Sequence, residues 1–303
     1  MKTMQDDIVE HFLFASTHDN LLFFTNSGKV FQTQVYEIPE GTRVARGRGL
    51  MNFLEISAEE KVLSLVPLEK LEVGQERNEK YLMMVTKNGR IKKTSLEEFK
   101  NVRKSGIIAI KLEKGDLLKK VVKTSGQDDI ILATKNGLSI RFKEKDIRPM
   151  GRATAGVRGI RLKKGPARSA TGVAGGDEVI GMDVISANGK EQMANGKKVK
   201  QYFLVVMENG YGKRTEISQY KVQGRGGSGI KTANITSKTG RIVMSCILDD
   251  STENEDLIVI SQKGQVIRTV TKSISLLGRA TQGVRIMRLD QGDKVASGAC
   301  FKE

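Results

Sequence analysis

The sequence of 303 residues is poor in the residue types on which most metal and redox sites depend. It has two histidines, two cysteines and no tryptophan. His11 and His18 have no cluster of cysteine or carboxylate residues at ligand spacing, which argues against a metal site. Cys246 and Cys300 lie in apolar stretches without a spacing motif, so we expect small buried side chains in a reducing compartment.

Long apolar runs and prolines are also scarce. No run approaches the ~20 apolar residues that a membrane-spanning helix needs, and the first residues, MKTMQDDIVE, do not resemble a signal peptide. Only four prolines occur, which excludes a long proline-rich linker. We therefore expect a cytoplasmic protein that makes no membrane contact.

Positive charge is abundant. The net charge is +16 and the isoelectric point is near 9.7. Such a surplus is typical of proteins that bind a polyanion, most often nucleic acid, although a generally basic surface would give the same total. The position of the charge along the chain decides between these interpretations.

Five segments of the chain repeat one pattern: an apolar run, a short turn that ends in glycine, and a second run. They cover residues 21–33, 81–94, 130–142, 202–215 and 257–269. Three of the turns contain an Asn-Gly pair, the strongest short-range signal for a β-hairpin. Each repeat is therefore predicted to contain a hairpin.

A polar, basic loop follows each hairpin and ends in a second glycine, namely Gly49, Gly106, Gly156, Gly229 or Gly283. After this glycine come a short apolar strand (LMNFLEI, IIAIKL, VRGIRL, IKTANI or VRIMRL) and a last apolar run. Four strands per repeat are typical of propeller blades. Helical periodicity is absent except for short pieces such as residues 96–100.

The predicted fold is all-β, a propeller-like ring of four-stranded blades with five complete repeats and a partial sixth, in a single domain of residues 1–303. The blades are expected at about 18–68, 80–124, 129–186, 201–249 and 256–301, with residues 7–17 as the remnant strand of a further blade. Residues 166–175 and 187–200 interrupt the repeats and are predicted to be surface loops.

The loop VQGRGGSG (222–229) contains G-x-G-x-x-G, the pattern of dinucleotide-binding proteins. Such a site needs a strand before the glycines, a helix after them and an acidic residue about 20 residues on. Asp249 meets the last requirement, but the intervening sequence has strand patterning and no helix. We therefore predict no nucleotide cofactor.

The net charge is concentrated in five equivalent basic loops, residues 41–49, 100–106, 148–161, 221–231 and 279–288. These contain 16 basic residues and no carboxylate, whereas the rest of the chain holds 35 basic and 35 acidic residues. A solvated surface would mix the two signs. The candidate DNA-binding side chains are Arg43, Arg46, Arg48, Arg103, Lys104, Arg148, Arg152, Arg158, Lys221, Arg225, Lys231, Arg279 and Arg285.

This combination of arginine, glycine and hydroxyl residues suits the phosphate backbone of duplex DNA. Arginine binds phosphate in bidentate geometry, glycine lets main-chain amides approach, and threonine adds neutral donors. No aromatic residues interleave the loops, which argues against a stacking surface for single strands. If the loops lie at the same place on each blade, they form a belt around which a duplex bends without sequence-specific contacts.

Several motifs, in order along nearly the whole chain, closely resemble the family of C-terminal domains found in the A subunit of bacterial DNA gyrase. They are EIPEGTRVARGRGLMNFLEIS, KNGRIKKTSLEEF, MGRATAGVRGIRL, ENGYGKRTEISQY and GRATQGVRIMRL. The resemblance implies a β-pinwheel, whose blades exchange strands, and a non-catalytic domain that wraps duplex DNA in the bacterial cytoplasm and supports negative supercoiling. It also implies two partners, the gyrase B subunit together with the rest of the gyrase A subunit, with the isolated domain a monomer.

The family carries a signature box, Q-[KR]-R-G-G-[KR]-G, in its first blade. We expect that blade to be missing here, apart from the remnant strand at 7–17. The nearest match is the box-like loop Gln223, Gly224, Arg225, Gly226, Gly227, Ser228 and Gly229. It keeps the glutamine, one arginine and the three box glycines, but Gly224 and Ser228 replace basic residues.

Three alternatives remain beside gyrase. The first is the corresponding domain of topoisomerase IV, whose repeats are less regular. The second is a propeller scaffold for an acidic protein partner, which would need one localised basic patch instead of one per repeat. The third is an enzyme with a site in a central channel, for which the sequence offers no cluster of histidine, cysteine or paired carboxylates.

Overall fold

The computed structural model describes residues 13, 15–41, 49–69, 78–163, 176–186, 199–250 and 255–302. Most of the predicted remnant strand at 7–17 lies outside these residues, and its described residues, 13 and 15–17, form no strand. The predicted loops at 166–175 and 187–198 lie outside them as well.

The described residues form an all-β structure, as predicted. Its strands are β1 (Asn20–Thr25), β2 (Lys29–Gln34), β3 (Val62–Leu68), β4 (Tyr81–Thr86), β5 (Arg90–Ser95), β6 (Ile107–Ile108), β7 (Leu118–Thr124), β8 (Asp129–Thr134), β9 (Leu138–Lys143), β10 (Val157–Arg158), β11 (Val179–Ile185), β12 (Gln201–Met207), β13 (Tyr211–Glu216), β14 (Ile230–Lys231), β15 (Ile242–Asp249), β16 (Glu255–Ser261), β17 (Val266–Val270), β18 (Val284–Arg285) and β19 (Val295–Lys302). The only helices among these residues are short 3-10 turns at Val35–Glu37, Leu50–Asn52, Leu96–Phe99, Glu144–Asp146, Ile217–Gln219 and Thr271–Ser273.

Each of the five predicted hairpins forms. The strand pairs are β1–β2, β4–β5, β8–β9, β12–β13 and β16–β17. The first strand of each hairpin lies in the interior of its sheet and is buried almost throughout. A strand covered on both faces needs a continuous apolar run, which explains why these segments do not alternate.

The fourth strand of each complete sheet comes from the following repeat. The sheet orders are β3-β1-β2-β6, β10-β5-β4-β7, β11-β8-β9-β14 and β15-β12-β13-β18. We call β6, β10, β14 and β18 the exchange strands. The strand exchange that the resemblance implies is therefore present. Repeats two to five each contain four strands, as predicted, but the third strand of each pairs in the preceding sheet. The described part of the fifth sheet has three strands, β17-β16-β19.

The first repeat lacks the short strand that was predicted after its loop glycine. The segment LMNFLEI was expected to be a strand, but it forms a 3-10 turn at Leu50–Asn52. An exchange strand needs the hairpin of a preceding repeat, and no described residue provides one. Leu54 and Ile56 instead pack on the first hairpin, beside Phe23 and Phe31.

The chain divides into two compact units. Among the described residues, the first comprises residues 13–126 and 147–157, and the second comprises 127–146 and 158–302. In the first unit β3 packs against β7. In the second unit β11 packs against β15, and β15 packs against β19. Within each unit, the last, apolar strand of a repeat thus builds the core between neighbouring sheets.

The prediction for the two cysteines is wrong. Cys246 on β15 and Cys300 on β19 are half-buried and form a disulfide, with their Cα atoms 6.9 Å apart. The residues are 54 positions apart and share no spacing motif. Only the packing of β15 on β19 brings them together, so the local sequence contains no signal for the bond.

Candidate nucleic-acid interface

Four of the five basic loops lie wholly within the described residues, and each leads into an exchange strand. Each has a glycine of positive φ directly before its exchange strand, namely Gly106, Gly156, Gly229 and Gly283 with values of 76°, 74°, 72° and 81°. The two residues after that glycine form the exchange strand. Gly49 differs, with φ of −63°, and is followed by no strand. The candidates of the first loop, Arg43, Arg46 and Arg48, lie outside the described residues.

The second residue of each exchange strand points to solvent. In β10, β14 and β18 this residue is Arg158, Lys231 or Arg285, each of them exposed. In β6 it is Ile108, which is 54% exposed. The repeated fold therefore presents a cation at the same position in three of four blades.

The basic loops of the second unit contact one another in series. The guanidinium of Arg225 donates to the carbonyl oxygen of Arg158 (3.4 Å), and the guanidinium of Arg279 donates to that of Lys231 (2.9 Å). Main-chain bonds reinforce this order, since the Arg161 amide donates to Gly227 and the Asn234 amide donates to Thr281. These bonds link the segments that carry five predicted cations, namely Arg158, Arg225, Lys231, Arg279 and Arg285. Arg279 is half-buried and the other four are exposed.

The basic loops that contribute to the first unit also carry predicted cations, but one of these cations is paired with a carboxylate. Arg103, Lys104 and Arg148 are exposed. Arg152 is half-buried, and its Nε lies 3.6 Å from a carboxylate oxygen of Glu98. Glu98 lies outside the loop sequences, so the absence of acidic residues within the loops did not reveal this ion pair.

The box-like loop is held to the main chain at its centre. Besides contacting Arg158, the Arg225 side chain donates to the carbonyl of Asp146 at 3.1 Å. The amide of Gly226 donates to Gly159, and that of Gln223 donates to Arg141. Lys221, Gly224, Arg225 and Ser228 remain exposed. The loop is therefore a rigid turn that presents its side chains to solvent, and it has no helix to hold a pyrophosphate.

Two fully buried lysines, Lys92 and Lys213, lie beneath basic loops. The Lys213 ammonium donates to the carbonyls of Gly278 (2.7 Å), Arg279 (2.6 Å) and Thr281 (3.1 Å) and to Thr281 Oγ1 (3.0 Å). Burial lowers the pKa of both lysines to about 8. Sequence reasoning missed these residues, although a lysine at an inward position of a hairpin strand was a signal for them.

Arginines on the hairpin strands hold the segments that precede the basic loops. Arg141 donates to the carbonyls of Ile217 and Tyr220, and Arg214 donates to that of Ile274. These cations are bound to the protein itself. They explain why part of the basic composition lies outside the candidate interface.

Aromatic rings lie behind the exposed cations and not between them. The Arg285 guanidinium stacks over the ring of Tyr211 at 5.6 Å and donates to its hydroxyl at 3.2 Å, which lowers the pKa of Tyr211. Tyr220 is buried and lies 6.0 Å from the guanidinium of Arg279. Such rings position the arginines and leave no stacking platform for bases among these residues.

Other kinds of site find little support in the part of the chain that the structure describes. No group of three or more His, Cys, Asp or Glu residues there has the arrangement of a metal site. No helix there is long and apolar enough to cross a membrane.

The relatives found by sequence comparison include A subunits of bacterial DNA gyrase. The chain is 40% identical to the A subunit of DNA gyrase from Staphylococcus epidermidis and 39% identical to that from Staphylococcus aureus, in each case over all 303 residues. It spans 31% of the length of these curated relatives.

Solved structures share the fold. The C-terminal domain of a DNA topoisomerase IV has a TM-score of 0.76 at 22% identity, covering 94% of this chain and 80% of that one. A DNA gyrase A C-terminal domain has a TM-score of 0.73 at 23% identity, covering 97% and 89%. The family model described as the DNA gyrase C-terminal domain, β-propeller, matches residues 19–69, 80–125, 128–186, 201–243 and 255–302. With this match over most of its length, the chain belongs to the DNA gyrase C-terminal domain family.

Proposed function

We propose that the basic loops bind the phosphate backbone of duplex DNA without regard to base sequence, and that a duplex bends along successive loops. The observation that carries this proposal is the series of contacts in the second unit, where each loop touches the exchange strand before it. These contacts support a row of cations along which a phosphate backbone can run.

The energetic balance favours such a complex. Bending 20–30 base pairs by 40–90° costs on the order of 1–6 kcal/mol. Each charge-assisted hydrogen bond to a phosphate contributes roughly 1.5–3 kcal/mol. A few contacts per loop offset the bending, and pre-bonded arginines such as Arg225 and Arg279 lose little side-chain entropy on binding.

Within a longer gyrase polypeptide, this domain would wrap DNA with one handedness and so support negative supercoiling. Its partners would then be the gyrase B subunit together with the rest of the gyrase A subunit, to which the cleavage and ATP-dependent steps would belong. Gyrase is favoured over topoisomerase IV by the 40% identity to the gyrase A subunit over the whole chain.

The salt dependence of binding tests the proposal. Replacing Arg158, Arg225, Arg279 and Arg285 with alanine should weaken binding to duplexes of any sequence. If each contacts one phosphate, the slope of log affinity against log salt becomes shallower by about 4.

The matched control removes four exposed lysines outside the loops, namely Lys114, Lys143, Lys145 and Lys272. It carries the same loss of charge and should change the slope far less. Equal effects of the two sets, or a strong preference for one base sequence, would contradict the proposal.

A further inference from the structure

Two of the basic loops have the same six-residue motif, G-R-A-T-x-G, at residues 151–156 and 278–283. We call them the GRAT loops. They lie in different units and form the same turn. In each, the threonine hydroxyl donates to the carbonyl of the first glycine, at 2.9 Å for Thr154 and 2.8 Å for Thr281.

Each GRAT loop lies over a buried lysine. This lysine is the third residue after the hairpin glycine, Lys92 on β5 and Lys213 on β13. At the same position β2 has Phe31 and β9 has Ile140, both buried and apolar. The loops that lie over those two residues, 100–106 over Phe31 and 224–229 over Ile140, contain no GRAT motif. The lysine and the motif therefore occur together.

Both lysines bind the carbonyl oxygen of the arginine in the motif. Lys92 donates to Arg152 and, at 2.7 Å, to Ala109. Lys213 donates to Arg279 at 2.6 Å and to three further oxygens of its loop. An ammonium group has three donors, and all of these acceptors are neutral oxygens.

Burying an ammonium group against neutral oxygens is costly, so a stability role alone would be served better by an apolar residue. Phe31 and Ile140 show that the fold accepts one at this position. What the lysine adds is a fixed backbone at the arginine, because it holds the carbonyl of that residue from within. The arginine side chain is then free to make other contacts, as Arg279 does with the Lys231 carbonyl and Arg152 does with Glu98.

We propose that Lys92 and Lys213 are positioning residues for DNA binding, which act by fixing the backbone of Arg152 and Arg279. This inference rests on the proposed function, because it assigns these lysines a role in the same interface. Neither lysine reaches solvent, so neither contacts DNA itself.

A double-mutant cycle on Lys213 and Arg279 tests the proposal, with affinity for a labelled duplex of mixed sequence as the readout. We expect Lys213→Met to weaken binding about as much as Arg279→Ala, roughly tenfold. The double variant should bind no more weakly than Lys213→Met alone. Lys143→Met removes the same charge from an exposed site outside the loops and should change affinity by about twofold or less.

The outcomes separate the two proposals. If Arg279→Ala weakens binding but Lys213→Met does not, or if the two effects multiply independently, the positioning role is wrong and the proposed function stands. If Arg279→Ala leaves affinity unchanged, the proposed function itself fails at this loop.

A second variant keeps the test decisive if Lys213→Met does not fold. Thr281 is exposed, and Thr281→Ala removes one acceptor of Lys213 together with the hydroxyl bond to Gly278. We expect about a threefold loss of affinity that disappears in the Arg279→Ala background, together with faster amide hydrogen exchange at residues 279–283. An unchanged affinity and unchanged exchange would overturn the inference.

Discussion

Two basic loops of the second unit, residues 224–229 and 278–283, lie at equivalent positions over β9 and β13 but are supported in opposite ways. Under the first, Ile140 would meet a Cβ on Gly227 at 3.5 Å, so the support is apolar contact. Under the second, Lys213 binds three carbonyls and a hydroxyl.

The glycine content of the two loops follows from this difference. The box-like loop lies close to an apolar side chain and to the preceding exchange strand, and it contains four glycines in seven residues. The GRAT loop turns its carbonyls toward an ammonium group, and alanine and threonine fit between its two glycines. In each loop one arginine donates to a carbonyl of the preceding exchange strand, so the same outer contact is compatible with two kinds of internal support.

The largest change in stability is expected when a lysine is placed beneath the box-like loop, which has apolar support. Ile140→Lys should destabilise the protein by about 3–5 kcal/mol, because the buried ammonium would lack the inward carbonyls. Thermal or denaturant unfolding measures the loss. Replacing residues 224–229 with GRATQG in the same variant should recover part of it, whereas a tolerated Ile140→Lys without the graft would contradict the account.

A smaller effect is expected at the glycine that ends the GRAT loop. Gly283 has φ of +81°, and a Cβ there would lie 2.7 Å from the carbonyl oxygen of Gly212. Gly283→Ala should therefore cost about 1–3 kcal/mol of unfolding free energy and loosen exchange strand β18. The control is Gly224→Ala, where a Cβ meets no atom within 4 Å. Equal costs at the two sites would refute this explanation of the loop ends.

The pH dependence of stability sharpens the comparison further. Burial lowers the pKa of Lys213 from 10.5 to about 8, so between these values the folded protein binds fewer protons than the unfolded chain. The free energy of unfolding should therefore rise with pH over this window, by up to about 1.4 kcal/mol per pH unit from this group. Lys213→Met should lose that rise. Denaturant unfolding of both proteins at several pH values measures it, and parallel curves would contradict the assignment.

The sequence predicted the hairpins and the last strand of each repeat because their signals are local. An Asn-Gly turn between apolar runs, as at Asn88 and Gly89, depends on no distant residue. The exchange strands were located in sequence but assigned to the wrong sheet. Val284 and Arg285 contain no information on which hairpin accepts them, and only the resemblance implied the exchange.

The candidate interface was predictable to a similar extent. Arg225 and Arg279 were identifiable from charge and repetition, since every repeat places basic residues in the same loop. The contact of Arg152 with Glu98, the disulfide and the buried Lys213 all depend on residues that are distant in sequence. The net charge of the sequence includes Lys213 and Arg152 as if both were free surface cations. Lys213 is instead enclosed by carbonyl oxygens, and Arg152 is paired with Glu98.

The central claim, that successive basic loops bend a duplex in one direction, is tested most directly by DNA topology. Nicked circular DNA is bound by this chain, ligated and freed of protein, and its linking number is compared with that of DNA ligated alone. We predict a shift of one consistent sign that grows with the amount of bound protein and is reduced when Arg158, Arg225, Arg279 and Arg285 are alanine. Binding that leaves the linking-number distribution unchanged would contradict the account.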